Sequence, residues 1–257
     1  MDVFEIILLA IIQGIAEFLP ISSSGHVVVA AALLGEPLDI ADVNIVLHLG
    51  TLVSILIFYA GRIWRLATVD RRVIGLLVIG TLPAAVIGIL IKKKMAWLLE
   101  SPLLAGSMLV VTGLILLVPR RLRETDGTYP ELTWKQAVGI GFAQALALLP
   151  GISRSGTTSV AGLRAGLSRQ DAAAVSFLLA IPAIGGASLL EIIDLLRGTT
   201  TLSTEGWKLA LGAAIACVVG LAAISWLVRW LETGRLHLFS YWCIALGMGV
   251  VIWQLVI

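Results

Sequence analysis

Apolar residues run along this chain in long blocks rather than in the alternation or one-sided stripe of a soluble domain. Six blocks, near 39–60, 72–91, 101–119, 170–194, 206–231 and 238–257, each approach the roughly 20 residues a helix needs to cross the hydrocarbon core. Four shorter blocks, 3–19, 22–35, 136–149 and 155–166, form two pairs, each interrupted by a cluster of Pro, Ser and Gly. Each pair predicts a re-entrant helical hairpin that enters the membrane and returns without crossing. The polar stretch 120–134, with Arg120, Arg121, Arg123, Glu124, Asp126 and Gly127, predicts a surface linker.

The two interruptions repeat one another. An ungapped offset of 131 matches Gln13 to Gln144, Ala16 to Ala147, Ser22 to Ser153, Ser24 to Ser155, Gly25 to Gly156 and Gly35 to Gly166. The chain thus reads as a duplicated unit: residues 1–119, with hairpin 3–35 and three spans, and residues 135–257, with hairpin 136–166 and three spans. An odd number of crossings per copy inverts the second copy relative to the first. The expected fold is an all-α integral membrane protein with inverted-topology repeats, six transmembrane helices and two re-entrant hairpins.

Composition changes the solvent and removes function classes. Hydrophobic residues make up 59% of the chain and charged residues only 13%, with a mean hydropathy of +1.02, against about 25% charged residues in a typical soluble domain. A net charge of +2, with no basic stretch interleaved with aromatics, argues against nucleic acid as a partner. Cys217 and Cys243 lie in apolar blocks without ligand neighbours and read as small core residues. Asp2 and Glu5 open the chain in place of a basic leader, so the first apolar block is expected to be structure.

On the span assignment, one side receives Arg62, Arg65, Arg71, Arg72, Arg120, Arg121, Arg123, Lys135, Arg164, Arg169, Arg229 and Arg235. The other receives Lys92, Lys93, Lys94, Arg197 and Lys208, a ratio of 12 to 5. The positive-inside rule puts the richer side and the 120–134 linker in the cytoplasm and the mouth of the first hairpin outside. The Lys92–Lys94 cluster runs against the trend.

The candidate chemistry sits in the two breaks. Gln13 and Glu17, four apart, share a helix face, and an ionisable group at membrane depth is a functional candidate by default; a Glu merely wetted at a hairpin tip is the plainer reading. Ser22, Ser23, Ser24, Gly25 and His26 place hydroxyls, free amides and an imidazole where a half-helix begins, a setting that favours an anion. In the second copy Leu148 replaces Glu17, Thr157 replaces His26 and Arg154 replaces Ser23. The planar fork of Arg154 suits phosphate oxygens, with structural pairing to Glu17 as the alternative. If the breaks converge, two helix N-termini, Arg154 and the hydroxyls of Ser22, Ser23, Ser24, Ser153, Ser155 and Thr158 surround one point, with Gly156 and Thr157 beside it and Gln13 and Gln144 in support. That is a phosphate or pyrophosphate pocket. His48 and Asn44 either line the cavity or form a core histidine bonded to a carbonyl. Trp64, Trp97, Trp207, Trp230 and Trp242 read as interfacial anchors.

The run Gln13-x-x-x-Glu17 with Ser22-Ser23-Ser24-Gly25-His26, together with Pro150-Gly151-Ile152-Ser153-Arg154-Ser155-Gly156-Thr157-Thr158, resembles the two signature motifs of the bacterial undecaprenyl pyrophosphate phosphatase family. The resemblance implies an inner-membrane hydrolase that removes the terminal phosphate of a polyprenyl pyrophosphate carrier lipid, recycling it for peptidoglycan synthesis, with a link to bacitracin resistance. It also implies a divalent cation, calcium or magnesium, for which Glu17 is the candidate ligand, and a homodimer; the charge bias has the site open to the periplasm. Position 13 departs from it, being Gln where many members carry Glu. On this reading Ser23, His26 or water is the nucleophile and His26 the base. Inverted repeats with broken helices also suit a secondary transporter or lipid-phosphate flippase; only the Ser23 and His26 pair speaks for hydrolysis.

Overall fold

A computed structural model describes residues 2–34, 41–197 and 204–256. Among these residues eleven α-helices follow in order: α1 (Val3–Ala16), α2 (Ser23–Leu34), α3 (Ala41–Phe58), α4 (Ala60–Thr68), α5 (Arg71–Lys94), α6 (Pro102–Leu117), α7 (Trp134–Leu146), α8 (Arg154–Arg164), α9 (Arg169–Leu196), α10 (Gly206–Glu232) and α11 (Leu238–Val256). No strand occurs among the described residues, where a lone bridge joins Gly127 to Leu167. Among the described residues five helices are long and apolar enough to cross a membrane, or six when α3 and α4 count as one bent span. Val86, Val218 and Ile252 on their outer faces are 57%, 68% and 56% exposed, a surface suited to lipid rather than water.

Local sequence sets the helix starts. Asp2 and Glu5 close a capping box on α1, the Asp2 carboxylate accepting from the Glu5 N–H at 2.7 Å and the Glu5 carboxylate from the Asp2 N–H at 2.9 Å. Ser101 with Pro102 opens α6, Thr133 with Gln136 opens α7, Ser153 opens α8 and Ser168 opens α9.

The halves correspond helix for helix: α1 and α2 with α7 and α8, the bent pair α3 and α4 with the single long α9, α5 with α10, and α6 with α11. Packing follows the same exchange, since α1 lies on α10 while its counterpart α7 lies on α5. Small residues permit these contacts. A Cβ on Gly14 would stand 2.9 Å from Val219, and one on Gly141 would strike the Gly80 carbonyl. In lipid, where burying apolar surface gives no net drive, close backbone approach supplies the dispersion contacts that hold helices together.

Two elements differ from the sequence expectation. The block read as 39–60 turns through 69° into α4 (its residues 39 and 40 lie outside the described ones), because Arg62 and Arg65 follow at once and cannot continue across hydrocarbon. The 120–134 linker keeps its charged residues at the surface but is also docked on the protein. It folds into two 3₁₀ turns, Val118–Arg121 and Tyr129–Glu131, and sinks Tyr129 and Leu132 into the core. Asp171 anchors it, accepting from Arg62 at 2.6 Å and from the Tyr129 N–H at 3.2 Å. The phenol of Tyr129 is pushed above its ordinary pKa by burial.

Candidate active site

The two breaks meet. A Cβ on Gly25 would lie 2.7 Å from Cα of Gly151, and one on Gly156 would lie 3.0 Å from Cβ of Pro20. Gly25 and Gly156 correspond under the repeat, as do Pro20 and Gly151, so the same contact is made twice with the halves exchanged. Reciprocity of this kind is the mark of a two-fold relation. The tips are also tied by hydrogen bonds: Ser155 Oγ donates to the Leu19 carbonyl at 3.2 Å, and Thr112 of α6 donates to the Gly151 carbonyl at 2.7 Å while accepting from the Ser153 N–H at 3.0 Å.

Backbone geometry prepares each half-helix. Pro20 and Pro150 cannot continue α1 and α7 as donors. Ser22 sits at φ +68, one of the few conformations an L-residue adopts at a cost of about 1–3 kcal/mol. From there its Oγ accepts from the Gly25 N–H at 3.3 Å and its carbonyl from the His26 N–H at 3.3 Å. Ser153 does the same for α8, accepting from the Gly156 N–H at 3.2 Å and pairing with Ser155 Oγ at 3.2 Å. Gly151 makes the counterpart turn at φ +95, where a side chain would strike the Ala105 carbonyl.

The charge centre is Glu17, the C-cap residue that follows the first half-helix. Its Oε1 accepts from Arg154 Nη2 at 2.7 Å, and its Oε2 accepts from Gln13 Nε2 at 3.1 Å and from Ser23 Oγ at 3.2 Å. His48 Nε2 faces the same Oε2 at 3.6 Å. The side chains of Glu17 and Arg154 are only 9% and 15% exposed, so the two charges offset one another away from water. Arg154 is held further by the Ser176 carbonyl at 3.2 Å, and Thr158 joins through Ser176 Oγ at 2.6 Å. Helix N-termini of α2 and α8, one guanidinium and a bank of hydroxyls thus surround one carboxylate, an arrangement suited to phosphate oxygens.

The structure brings Gln13, Glu17, Ser23 and Arg154 into direct contact, and Ser22, Gly25, Ser153, Ser155, Gly156 and Thr158 build the tips around them. Ser24 lies at the exposed edge, 3.4 Å from Ser22 Oγ. Thr157 and Gln144 are buried, and their side-chain polar atoms have no hydrogen-bond partner. His26 differs from the sequence expectation. Its Nδ1 donates to the Ser22 carbonyl at 2.7 Å, and its Nε2 accepts from Trp242 Nε1 at 3.1 Å. Both ring nitrogens are engaged, and the group within hydrogen-bond reach of the Ser23 hydroxyl is Glu17. Trp242, read from sequence as an interfacial anchor, is that partner of His26. His48 satisfies both sequence readings at once, donating from Nδ1 to the Asn44 carbonyl at 2.8 Å and turning Nε2 toward Glu17. Thr112 and Ser176 were missed. Their signal was a lone hydroxyl inside an apolar span, where it must find a partner.

Among the described residues no group of three or more His, Cys, Asp or Glu could hold a metal ion. The donor set at the tips, one carboxylate from Glu17 with neighbouring hydroxyls, does not form a resident metal cage.

Residues 6–249 match the family described as "Bacitracin resistance protein BacA". The "Undecaprenyl-diphosphatase" of Rhodopirellula baltica is 53% identical over 254 residues, covering 99% of this chain and 99% of that protein. Those of Halothermothrix orenii and Myxococcus xanthus are 38% and 37% identical, each over 98% of this chain and over 98% and 89% of their own lengths.

Proposed function

Since this chain belongs to the bacitracin resistance protein BacA family, we propose that it is an undecaprenyl-diphosphatase, an integral membrane enzyme that hydrolyses undecaprenyl pyrophosphate to undecaprenyl phosphate and inorganic phosphate. The carrier lipid so regenerated returns to peptidoglycan synthesis. The observation that carries the reading is the Ser23–Glu17–Arg154 contact at the meeting of two half-helix N-termini, because it joins a nucleophile, a proton acceptor and a phosphate clamp in one buried spot.

In this reading Arg154 and the amides opening α2 and α8 hold the terminal phosphate and offset the charge that spreads over its oxygens in a loose transition state. Ser23 Oγ attacks the terminal phosphorus and Glu17 accepts its proton. The bond from that phosphorus to the bridging oxygen breaks and undecaprenyl phosphate leaves. Water then attacks the serine phosphate, releasing inorganic phosphate and restoring the hydroxyl. His48 steadies Glu17, whereas His26 fixes the first turn of α2 through Ser22. Ser153, Ser155 and Thr158 shape the second tip, and Thr112 and Ser176 keep it in register. A divalent cation, calcium or magnesium, entering with the diphosphate beside Glu17, would supply charge neutralisation at the phosphate oxygens. The polyprenyl tail lies against apolar helix faces, which discriminate chain length weakly.

The two halves sit inverted in the plasma membrane, with the arginine-rich end cytoplasmic and the site opening to the periplasm. Support comes from the arginine bias and from the way Arg62, Arg72 and Arg169 gather on the linker and on Asp171 at one end of the molecule. The proposed assembly is a homodimer, which cross-linking in native membranes tests.

The deciding experiment is phosphate release from polyprenyl pyrophosphate in detergent. Ser23→Ala and Glu17→Ala are expected to lose turnover while substrate binding persists, and wild type is expected to trap a serine phosphate at Ser23. Near-normal turnover in Ser23→Ala would overturn the nucleophile assignment, and near-normal turnover in both variants would overturn the site.

A further inference from the structure

A cleft of about 460 Å³ opens between the end of α6 and the end of α8, lined by Leu114, Leu117, Val118, Arg121, Leu122 and Arg164. Its chemistry is divided. Successive turns of α6 give an apolar wall in which Leu114 is 55% exposed. Above that wall stand two guanidinium groups from different elements, Arg121 at the end of a 3₁₀ turn and Arg164 in the last turn of α8.

Both arginines are exposed, and neither has an acidic partner among the described residues. Four other arginines at this end of the molecule are held. Arg62 is paired with Asp171, Arg65 with Asp70 and Arg169 with Glu124, and Arg72 caps the carbonyls of Pro130 and Leu132. Arg121 and Arg164 thus face one cleft with no carboxylate beside them, where an anion would offset their mutual repulsion. A guanidinium fork favours phosphate in a bidentate grip.

We propose that this cleft binds an anionic phospholipid, its phosphate held by Arg121 and Arg164 and one acyl chain lying along Leu114 and Leu117. Basic clefts between membrane helices at the end of the apolar zone take anionic head groups for this reason. A free phosphate ion would satisfy the arginines but leave the leucine wall bare, whereas a phospholipid covers both. The site is separate from the candidate active site: α8 has 11 residues, so its two ends stand about 15 Å apart at the usual helical rise. A lipid clamped between α8 and α6 braces the hairpin whose other end carries Arg154.

Titration of the detergent-purified protein with phosphatidylglycerol, phosphatidylcholine and inorganic phosphate, read by native mass spectrometry, tests the proposal. Wild type should retain phosphatidylglycerol in preference to phosphatidylcholine, and Arg121→Gln/Arg164→Gln should bind it about tenfold more weakly or worse, the equivalent of one lost charged hydrogen bond. Leu114→Trp, which fills the wall and keeps both charges, should also displace the lipid. Turnover of a short-chain pyrophosphate in detergent should stay unchanged in all of these variants, which serves as the control for folding. Equal binding of phosphatidylglycerol by wild type and the double Gln variant, or equal binding of phosphatidylcholine, would overturn the proposal. Inorganic phosphate bound as well as the lipid would replace it with a free-anion site.

Discussion

Among single residues, Arg154 carries the largest consequence. Removing one partner of a buried, hydrogen-bonded ion pair leaves the other charge uncompensated, at a cost of about 3–5 kcal/mol. Arg154→Ala should therefore lower thermal stability in detergent and abolish phosphate release. Adding Glu17→Gln should recover much of the stability, because the stranded charge is gone, with no return of turnover. If both variants melt like wild type, the pair carries no structural energy. Gly25 offers a test of positioning alone. A methyl group there meets the backbone of Gly151 at 2.7 Å, so the tips must separate at a cost of about 1–3 kcal/mol. Displacement of about 1 Å at a catalytic centre can remove about a hundredfold in rate. Gly25→Ala should show that loss, whereas Gly139→Ala, with nothing within 4 Å of the new methyl, should leave turnover intact.

At the level of elements, the hairpin tips are held from outside. The first leans on α11 through the bond from Trp242 to His26; the second leans on α6 through Thr112 and on α9 through Ser176. Trp242→Phe keeps the ring's apolar bulk and deletes the donor, a loss of about 1 kcal/mol. For a chain of this size that corresponds to roughly 2–4 °C in Tm. A partial fall in turnover should accompany it, smaller than that of Ser23→Ala, because the imidazole acts on the first turn of α2 rather than on Ser23. Complete loss of turnover in Trp242→Phe would instead assign the chemistry to His26. His26 itself was legible as a candidate from its place after three serines. Its partner was not, since Trp242 lies 216 positions away, and no local pattern reports such a pairing.

On the scale of the whole molecule, the linker joins the halves as a packed element. Asp171 binds both Arg62 of the first half and the linker backbone at Tyr129. Asp171→Ala strands Arg62 and an amide, and should release the segment 120–133. Limited proteolysis should then cut there well before wild type is cut; unchanged protection would mean that Tyr129 and Leu132 hold the segment by burial alone. The sequence signalled a linker by its charges but not its docking, because a Tyr and a Leu among arginines look like a solvated face until the surface they cover is known.

Periodicity, composition and the internal repeat determined by themselves that this is an all-helical membrane protein with two broken segments, and pointed to the breaks as the candidate site. These follow from local rules: apolar length against bilayer thickness, and the cost of irregular backbone or an ionised Glu and Arg at depth. What only the tertiary structure decided was which groups touch. It set Glu17 rather than His26 against Ser23, turned His48 toward the same carboxylate, made Trp242 a hydrogen-bond donor and left Arg121 and Arg164 sharing a cleft. Each of these contacts joins residues whose directions are fixed by helix packing, and packing depends on the shapes of distant segments that no short window of sequence contains.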